Sequence, residues 1–332
     1  MTTYLVTGGC GFIGSHLVDL LVAQGHNVTV LDDLSTGKRE NLAAGVPLTV
    51  GNVADAGLVR DLMSGADGCF HLAAIASVTR SNEDWLGTHQ VNQTGTIAVL
   101  DAARHGRNGR PVPVVYASSA AVYGAPETEG AIAEETPCRP LSAYGVDKYA
   151  SELHADVASR IHGVATTGLR FFNVYGPRQD PASPYSGVIS IFAARLAAGR
   201  PLDIFGDGEQ TRDFVYVSDV VAHLAAAMKS QETTDEIEAR VFNVCTGRST
   251  SLRHLADHLG QRLGRQPAIE YQPPRAGDIR HSLGQNDKAR AGLGLTAEIG
   301  IEEGLGHLID SLAQDPGPAQ VEPHLKATLI EL

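Results

Sequence analysis

Three glycines near the N-terminus constrain the fold more than any other feature of this sequence. Gly8, Gly11 and Gly14 are spaced Gly-x-x-Gly-x-x-Gly, after an apolar run at residues 4–7 and before apolar residues at helical spacing. Glycine lets the backbone approach a pyrophosphate closely, and the N-terminus of the following helix supplies N–H groups and a positive dipole. The pattern predicts a strand, a tight turn and a helix that together bind a dinucleotide.

A carboxylate stands at the end of the next predicted strand, which covers residues 27–31. Asp32 is placed to accept hydrogen bonds from the ribose hydroxyls of the dinucleotide. Because a carboxylate at this position repels a 2′-phosphate, we expect NAD rather than NADP as the cofactor.

Strands and helices alternate along the rest of the chain. Further strands are predicted at residues 47–50, 69–72, 113–117, 165–171 and 241–244, and helices at about 91–104, 142–161 and 215–228. This order indicates an α/β fold, a Rossmann-type doubly wound parallel sheet with a smaller C-terminal substrate-binding domain. The expected domains are an NAD-binding domain at 1–175 with a return segment at about 214–246, a substrate-binding domain at 176–213 and 247–315, and a peripheral tail at 316–332.

Composition and charge exclude several classes of protein. The chain has 332 residues, of which 43% are hydrophobic and 19% charged, and no apolar run is long enough to cross a bilayer. No signal peptide precedes the glycine motif, so we expect a cytoplasmic protein with no membrane partner. The formal net charge of −12 repels polyanions, so nucleic acid is not expected as a partner. The four cysteines lie far apart in the sequence and are expected to be reduced thiols.

Tyr144 and Lys148 stand four positions apart on one predicted helix, so their side chains project from the same face. Ser119 follows the predicted strand at 113–117, at the edge where parallel α/β sheets bind ligands. A phenol with a pKa of about 10 becomes a usable base only where a cation stabilises the phenolate, as Lys148 and a positive nicotinamide ring would. We therefore predict Tyr144 as the base, Lys148 as its supporting cation and Ser119 as a hydrogen-bond partner of the reacting hydroxyl.

Further motifs follow in a fixed order. They are the segments 7–14, 72–74, 119–124 and 170–178, together with Asp32, Asn92, Tyr144 and Lys148. In this combination the chain resembles the extended short-chain dehydrogenase/reductase superfamily over about residues 3–312. Within that superfamily it is most similar to the nucleotide-sugar 4-epimerases that act on UDP-glucose and UDP-N-acetylglucosamine.

The resemblance implies an NAD cofactor that stays bound through the reaction. Tyr144 would remove the proton of the sugar 4-hydroxyl, hydride would pass from C4 to the nicotinamide, and the 4-keto sugar would turn before hydride returns to its other face. Related dehydratases carry acidic side chains just before the Val-Tyr-Gly motif, whereas Ala120 and Ala121 stand there in this chain. This difference favours epimerisation of a UDP-hexose over elimination. A homodimer is also expected, because homodimers are common among similar epimerases.

The resemblance also implies which residues bind NAD. They are Gly8, Gly11, Phe12, Ile13, Gly14, Asp32, Asn52, Val53, Leu72, Ala73, Ala74, Asn92, Tyr144, Lys148 and Phe171. Asn52 replaces the aspartate that is usual near the adenine amino group, and its amide oxygen can still accept that hydrogen bond. Ala121 lacks a hydroxyl found in some close epimerases, which leaves Ser119 as the main hydroxyl partner and affects the expected rate more than the type of reaction.

The implied substrate-binding residues lie mostly in the C-terminal part. Asn173, Arg212 and Arg275 match diphosphate-binding positions, Val188 and Phe205 match the nucleoside pocket, Ser77 lies near the sugar, and Ser119, Asp278 and Ser282 complete the set. Local cations are needed because a chain of net charge −12 does not attract a diphosphate at long range. Ser282 resembles a gate position beside the sugar C2, and a serine there is small enough to admit an N-acetyl group.

Three other functions stay open. Arg178 or Arg280 could pair with a C6 carboxylate, which would make the enzyme a UDP-glucuronate 4-epimerase. The others are a nucleotide-sugar oxidoreductase with net turnover of NAD(H) and a non-catalytic NAD-binding regulator. His254 and His258 have a spacing compatible with a metal, but the sequence specifies no third ligand, so no metal is predicted.

Overall fold

The computed structural model describes residues 1–106, 109–126, 130–181, 187–232, 237–274 and 279–314. Its first unit is the predicted one, with β1 (Thr3–Thr7), the glycine turn, α1 (Phe12–Ala23) and β2 (Asn27–Asp32). β1 and β2 pair in parallel, so α1 is the crossover helix between two neighbouring strands.

Seven parallel strands form the central sheet. The strands after β2 are, in chain order, β3 (Leu48–Val50), β4 (Gly68–His71), β5 (Val114–Ser119), β6 (Thr166–Phe171), β7 (Asn173–Tyr175), β8 (Leu202–Phe205), β9 (Thr211–Arg212), β10 (Phe214–Tyr216), β11 (Ala239–Val244), β12 (Thr250–Ser251), β13 (Ile269–Gln272) and β14 (His281–Ser282). The order in the central sheet is β11-β6-β5-β4-β1-β2-β3, and all neighbouring pairs are parallel. The chain winds outward in both directions from β1, so the predicted doubly wound Rossmann-type sheet is confirmed.

Helices cover both faces of this sheet. After α1 they are α2 (Ala56–Met63), α3 (Val78–Glu83), α4 (Trp85–His89), α5 (Gly95–Ala103), α6 (Ala143–His162), α7 (Val188–Ala197), α8 (Val217–Glu232), α9 (Leu252–Arg262), α10 (Asp287–Leu293) and α11 (Ile301–Gln314). Leu17 of α1 and Leu224 of α8 belong to the core on one face, and Val59 of α2 and Val99 of α5 to the core on the other. Among the described residues, no helix combines the length and apolarity needed to cross a bilayer.

Two of the predicted helices begin differently. The helix predicted at 215–228 starts at Val217, because Val215 and Tyr216 belong to β10 and pair with β7. That prediction was wrong at its start, since the pairing partner lies far away in the sequence. The helix predicted from residue 91 is reached through a π-helical turn at Gln90–Thr94, which continues α4 into α5.

Small sheets and one buried carboxylate organise the C-terminal part. β7 pairs with β10, β8 pairs with β13, and β9 pairs with both β12 and β14. The Asp213 carboxylate, fully buried between β9 and β10, accepts hydrogen bonds from Thr246 N and Oγ1 at 2.8 and 2.7 Å. It also accepts from Gly247 N at 2.9 Å and Gly284 N at 3.3 Å. One side chain therefore fixes the loop after β11 and the loop after β14.

A buried ion pair connects α6 with the sheet. Arg170 of β6 donates to both carboxylate oxygens of Glu152 on α6, at 2.9 and 2.7 Å, and both side chains are buried. Ser118 Oγ donates to the same carboxylate at 2.5 Å. The guanidinium also donates to Tyr123 OH at 2.8 Å, and that hydroxyl donates to Asn243 Oδ1 of β11 at 2.6 Å. The network joins the end of β5 to α6, β6 and β11.

Replacing Glu152 by Gln should destabilise the protein, because the substitution leaves the Arg170 guanidinium buried without its countercharge. We expect the free energy of unfolding to fall by about 3–5 kcal/mol. Asp156→Asn, one turn further along α6, removes the exposed partner of Arg160 and should cost less than about 1 kcal/mol. Urea titration of both variants measures the difference, and equal losses would contradict the prediction.

Candidate active site

Close backbone packing leaves no room for a side chain at two of the three glycines, and at the third a side chain would enter an open cleft. Gly8 has a φ of 74°, and a Cβ there would lie 2.6 Å from the Ala73 nitrogen. A Cβ on Gly14 would overlap the carbonyl oxygen of Gly8. A Cβ on Gly11 would meet only that same oxygen, at 3.3 Å, and would otherwise occupy the cleft. Because α1 begins at Phe12 without a side-chain cap, its first N–H groups are available to an anion.

A cleft of about 370 Å³ lies at the carboxyl ends of the central strands. It is lined by every predicted NAD-binding residue except Asn52 and Asn92. These residues are Gly8, Gly11, Phe12, Ile13, Gly14, Asp32, Val53, Leu72, Ala73, Ala74, Tyr144, Lys148 and Phe171. Residues far apart in the sequence therefore converge on one site.

Asp32 is held at the edge of this cleft by two backbone groups. Its carboxylate accepts hydrogen bonds from Cys10 N and Leu34 N, each at 2.9 Å. Burial raises the pKa of the carboxyl, and the two N–H bonds oppose that shift. Each oxygen keeps a second lone pair that can accept from a ribose hydroxyl. An acid, a cradle free of side chains and uncapped helical N–H groups are what the ribose and pyrophosphate of NAD require, so the residues present fit that cofactor.

Two predicted NAD-binding residues lie outside the lining of the cleft. Asn52 is exposed, and its amide oxygen accepts from Ala54 N at 2.8 Å. Asn92 is buried and bonds the backbone of Ile75 twice, accepting from its nitrogen at 2.7 Å and donating to its oxygen at 3.2 Å. Ile75 itself lines the cleft. Asn92 therefore shapes the loop after β4 and leaves the contact with the cleft to its neighbours.

Several lining residues were missed by the sequence analysis. Thr36 and Gly37 stand in the turn just after Asp32, and that position was an available signal. Gln179 reaches the cleft from the segment after β7, where no local pattern indicated a contact with the cofactor site.

Tyr144, Ser119 and Lys148 meet on one wall of the cleft. The Tyr144 phenol and the Ser119 hydroxyl are neighbours, and Ser119 favours the ionised form of the phenol. The Lys148 ammonium donates to Ala117 O at 2.8 Å and lies 5.8 Å from the centre of the Tyr144 ring. The start of α6 is fixed by Ser81, whose hydroxyl accepts from Tyr144 N at 3.1 Å. Ser81 was not predicted, because it acts on the backbone from another helix.

Burial dominates the electrostatics of this wall. It raises the pKa of Tyr144, although the neighbouring Ser119 hydroxyl opposes the shift. It lowers the pKa of Lys148 to about 8, while the neighbouring Asp147 acts in the opposite direction. It also lowers the pKa of His71 to about 3, so this imidazole, bonded to Thr7 and Thr96, is neutral near pH 7. Loss of the Tyr144 proton near pH 7 therefore requires a nearby cation that favours the phenolate.

The predicted substrate-binding residues fall into several groups. Phe205 lines a second, larger opening of about 640 Å³ beside β8 and β13. Arg212 and Ser282 are register partners on β9 and β14. Asn173 begins β7 and Val188 begins α7, whereas Ser77 is buried and caps α3 by accepting from Arg80 N. Among the members of the set that the structure describes, Ser119 alone also lines the cofactor cleft. Arg275 and Asp278 lie outside the described residues.

The two arginines considered for a C6 carboxylate already face carboxylates of the chain. Arg178 pairs with Asp19 at 2.7 Å. Arg280 donates to both oxygens of Asp207, at 2.9 and 2.7 Å. A hexuronate carboxylate would share these arginines with the carboxylates that already pair with them.

His254 and His258 contact each other through Nε2, and Glu302 lies 3.8 Å from His258. Within the described ranges, no group of three or more potential metal ligands is present. All four cysteines are free thiols.

Comparison with known proteins gives the family. The model of the NAD dependent epimerase/dehydratase family matches residues 4–245. A UDP-glucose 4-epimerase of Mycolicibacterium smegmatis is 38% identical over 92% of this chain and 97% of its own length. A UDP-N-acetyl-alpha-D-glucosaminuronate decarboxylase of Bacillus cytotoxicus is 32% identical over 81% and 83%.

Solved structures agree with this assignment. The UDP-glucose 4-epimerase of Thermotoga maritima, crystallised with UDP-glucose, superposes with a TM-score of 0.88 and 35% identity, over 95% of this chain and all of that one. The UDP-N-acetylglucosamine 4-epimerase of Methanobrevibacter ruminantium, in complex with UDP-N-acetylmuramic acid, superposes with a TM-score of 0.87 and 32% identity, over 94% and 98%. The chain belongs to the NAD dependent epimerase/dehydratase family, and the predicted NAD cofactor and epimerase class are thereby confirmed.

Gly11→Ala should weaken NAD binding while the protein stays folded. The added methyl group contacts only the Gly8 oxygen and otherwise occupies space that the pyrophosphate needs. We expect the dissociation constant for NAD, measured by titration calorimetry, to rise at least about tenfold. Gly65→Ala, where a Cβ meets nothing closer than 3.9 Å, is the matched control. Unchanged NAD affinity in Gly11→Ala would show that the cofactor lies elsewhere.

Proposed function

We propose that this enzyme inverts C4 of a UDP-hexose through a 4-keto intermediate, with NAD retained throughout. The proposed substrates are UDP-glucose and UDP-galactose, together with UDP-N-acetylglucosamine and UDP-N-acetylgalactosamine. The observation that carries the proposal is the meeting of Tyr144, Ser119 and Lys148 on the wall of a cleft that fits NAD. The relatives named UDP-glucose 4-epimerase support the choice of substrate class.

The proposed roles of the residues are supported by their positions in the cleft. When bound, NAD supplies a reversible hydride acceptor and a positive charge beside the sugar. Tyr144 holds the proton taken from the 4-hydroxyl and gives it back when the alcohol is restored. The Lys148 ammonium stabilises the phenolate, and Ser119 holds the reacting oxygen close to the phenol. The residues after Ser119 are Ala120 and Ala121, which carry no acid or base, so the proposed reaction ends in epimerisation rather than elimination.

Tyr144→Phe should lower the rate of epimerisation by about 10² or more, the usual effect of removing a positioned acid or base. Tyr149→Phe, five positions further along α6 and packed against the core, is the control that removes a phenol of the same helix. The measurement is the separation of C4 epimers after incubation with a panel of UDP-hexoses and UDP-hexuronates. Steady NADH accumulation would favour an oxidoreductase, and unaltered function in Tyr144→Phe would favour a regulator.

The rate should also fall as the pH rises above about 8. The folded-state pKa of Lys148 lies below its ordinary value, so the ammonium is present below about pH 8 and is lost as the pH rises through that value. Lys148→Arg keeps its charge through this range, so its rate, although lower, should not show the same alkaline decline. The measurement is kcat against pH for both proteins. An identical decline in both would assign it to another group.

Ser282 is proposed to admit the N-acetyl group. It is small, buried and paired in register with Arg212, and both residues are proposed to bind substrate. Ser282→Tyr should therefore abolish activity on UDP-N-acetylglucosamine and preserve activity on UDP-glucose, whereas Ser282→Ala should preserve both. The ratio of kcat/KM for the two substrates measures the effect. Wild-type activity on UDP-glucose alone would contradict this role.

We also propose the predicted domain division. One domain comprises residues 1–175 with about 214–246, and the other comprises residues 176–213 with 247–315. Residue 315 and the tail at 316–332 lie outside the described part. A cytoplasmic location remains part of the proposal, and the free thiols agree with a reducing compartment.

A homodimer is proposed through α6. Its exposed side includes Val146, Leu153, Val157 and Ile161, which are 46%, 54%, 50% and 71% exposed at spacings of one helical face. The buried Lys148 and Glu152 lie on the opposite side of the helix. An apolar stripe of this length is self-complementary across a two-fold axis, so a second copy of the chain is the proposed occupant.

Leu153→Asp combined with Ile161→Asp should convert the dimer to a monomer, because two carboxylates would be buried against two others. Val50→Asp changes an equally exposed apolar residue at the edge of the sheet and should leave the dimer intact. Sedimentation velocity measures the mass of each protein. A wild-type monomer would leave the stripe to a different partner and contradict the proposal.

A further inference from the structure

The segment directly after β7 is held against the N-terminal unit by three contacts. His16 Nε2 lies 3.0 Å from Pro177 O, and because a carbonyl oxygen only accepts, this nitrogen carries the hydrogen. Arg178 pairs with Asp19 at 2.7 Å, and Asp180 pairs with Lys38 at 3.3 Å. We call residues 177–180 with these three contacts the clasp.

The clasp joins the segment after β7 to α1 and to the turn after β2, and all three elements contribute residues to the lining of the cofactor cleft. Gln179 and Val174 line the cleft on the side of the C-terminal part, and residues 35–37 line it on the side of β2. His16 and Asp19 belong to α1, whose first turn lines the cleft between these two sides. Lys38 is itself anchored, because its backbone nitrogen donates to Cys10 O at 3.0 Å. The Lys38–Asp180 pair therefore links the β2 side of the cleft to the side of the C-terminal part, and the Arg178–Asp19 pair links the latter to α1.

The backbone of the clasp is strained at its centre. Arg178 has a φ of 66°, in the left-handed region that residues other than glycine rarely adopt. Such a conformation persists where surrounding contacts hold it, and here the contacts lie on both sides of Arg178. The next residue is fixed as well, because Gln179 accepts from Ser190 Oγ at 2.6 Å and donates to Val174 O at 3.3 Å.

We infer that the clasp retains NAD in the cleft through the catalytic cycle, with Asp19, Lys38, Arg178 and Asp180 as positioning residues. The inference rests on the proposed function, in which NAD is not released between turnovers. Moving the segment after β7 away from α1 and from the turn after β2 requires breaking both ion pairs and the His16 contact, so the clasp adds to the barrier for dissociation. Its effect therefore falls on the rate of NAD release more than on the rate of binding.

The test compares two double variants that make the same change in charge. Asp19→Asn with Lys38→Met removes one partner from each ion pair, and neither residue lines the cleft. Asp61→Asn with Lys229→Met makes the same substitutions at exposed positions on α2 and α8. The holoenzymes are freed of unbound NAD by gel filtration, and NAD released afterwards is measured over time by ultrafiltration and absorbance.

Release from the clasp variant should be about five- to tenfold faster than from the wild type and the control variant. Raising NaCl from about 0.05 to about 1 M should speed release from the wild type and change the clasp variant little, because salt screens half-exposed ion pairs. Equally slow release from all three proteins would overturn the clasp alone. Loss of NAD from the wild type during the first gel filtration would overturn both the clasp and the retained cofactor.

A charge exchange separates the ion pair from any loss of folding. Lys38→Asp places two carboxylates together and should speed release, whereas Lys38→Asp with Asp180→Lys restores the pair in reverse and should slow release again. Thermal melting of each variant confirms that the protein is folded. Fast release from the exchanged pair, in a protein that melts like the wild type, would also overturn the inference.

Discussion

No side chain fits between the Gly8 carbonyl oxygen and the first turn of α1, and the rest of the cleft depends on that contact. The close approach places the uncapped end of α1 directly over the turn that follows β1. The chain then returns through β2 and brings Asp32 to the same edge of the sheet. The positive N-terminus of α1 and the negative carboxylate of Asp32 thus face one cleft from two sides. The first suits the pyrophosphate of a dinucleotide and the second suits its ribose.

The two buried cations near α6, Arg170 and Lys148, have different partners, and this difference fits the different roles proposed for them. Arg170 is balanced by the Glu152 carboxylate and is part of a network that joins four elements. Lys148 donates to the carbonyl of Ala117, which carries no net charge. The carboxylate next to it in sequence, Asp147, is bonded to His89 at 2.8 Å. The Lys148 charge is therefore not held by a direct ion pair, whereas Arg170 is paired and still acts to lower the pKa of the Tyr123 phenol against the larger effect of burial.

The sequence was sufficient for features that local chemistry determines. The glycine turn, Asp32 and the Tyr144–Lys148 face each follow from a few neighbouring residues, and the structure brings them together at one cleft. Val215 and Tyr216 were placed in a helix because their strand exists only through pairing with β7.

Asn92 shows a second limit of reasoning from sequence. A motif gives the identity of a residue, but it does not say that both amide atoms bond the backbone of Ile75. The partners of Arg178 and Arg280 were hidden for the same reason, since Asp19 and Asp207 lie far from them along the chain.

The small sheet of β9, β12 and β14 is separate from the helix that carries Tyr144. Arg212 and Ser282 lie on strands of two residues, and the buried Asp213 carboxylate holds the loops beside them. The His281 side chain of β14 bonds Thr211 of β9, and Ser282 pairs in register with Arg212. Under the proposed function, the residues that would select the sugar and those that would carry out the reaction lie on separate elements. A homologous protein could therefore differ in substrate and keep the same catalytic residues.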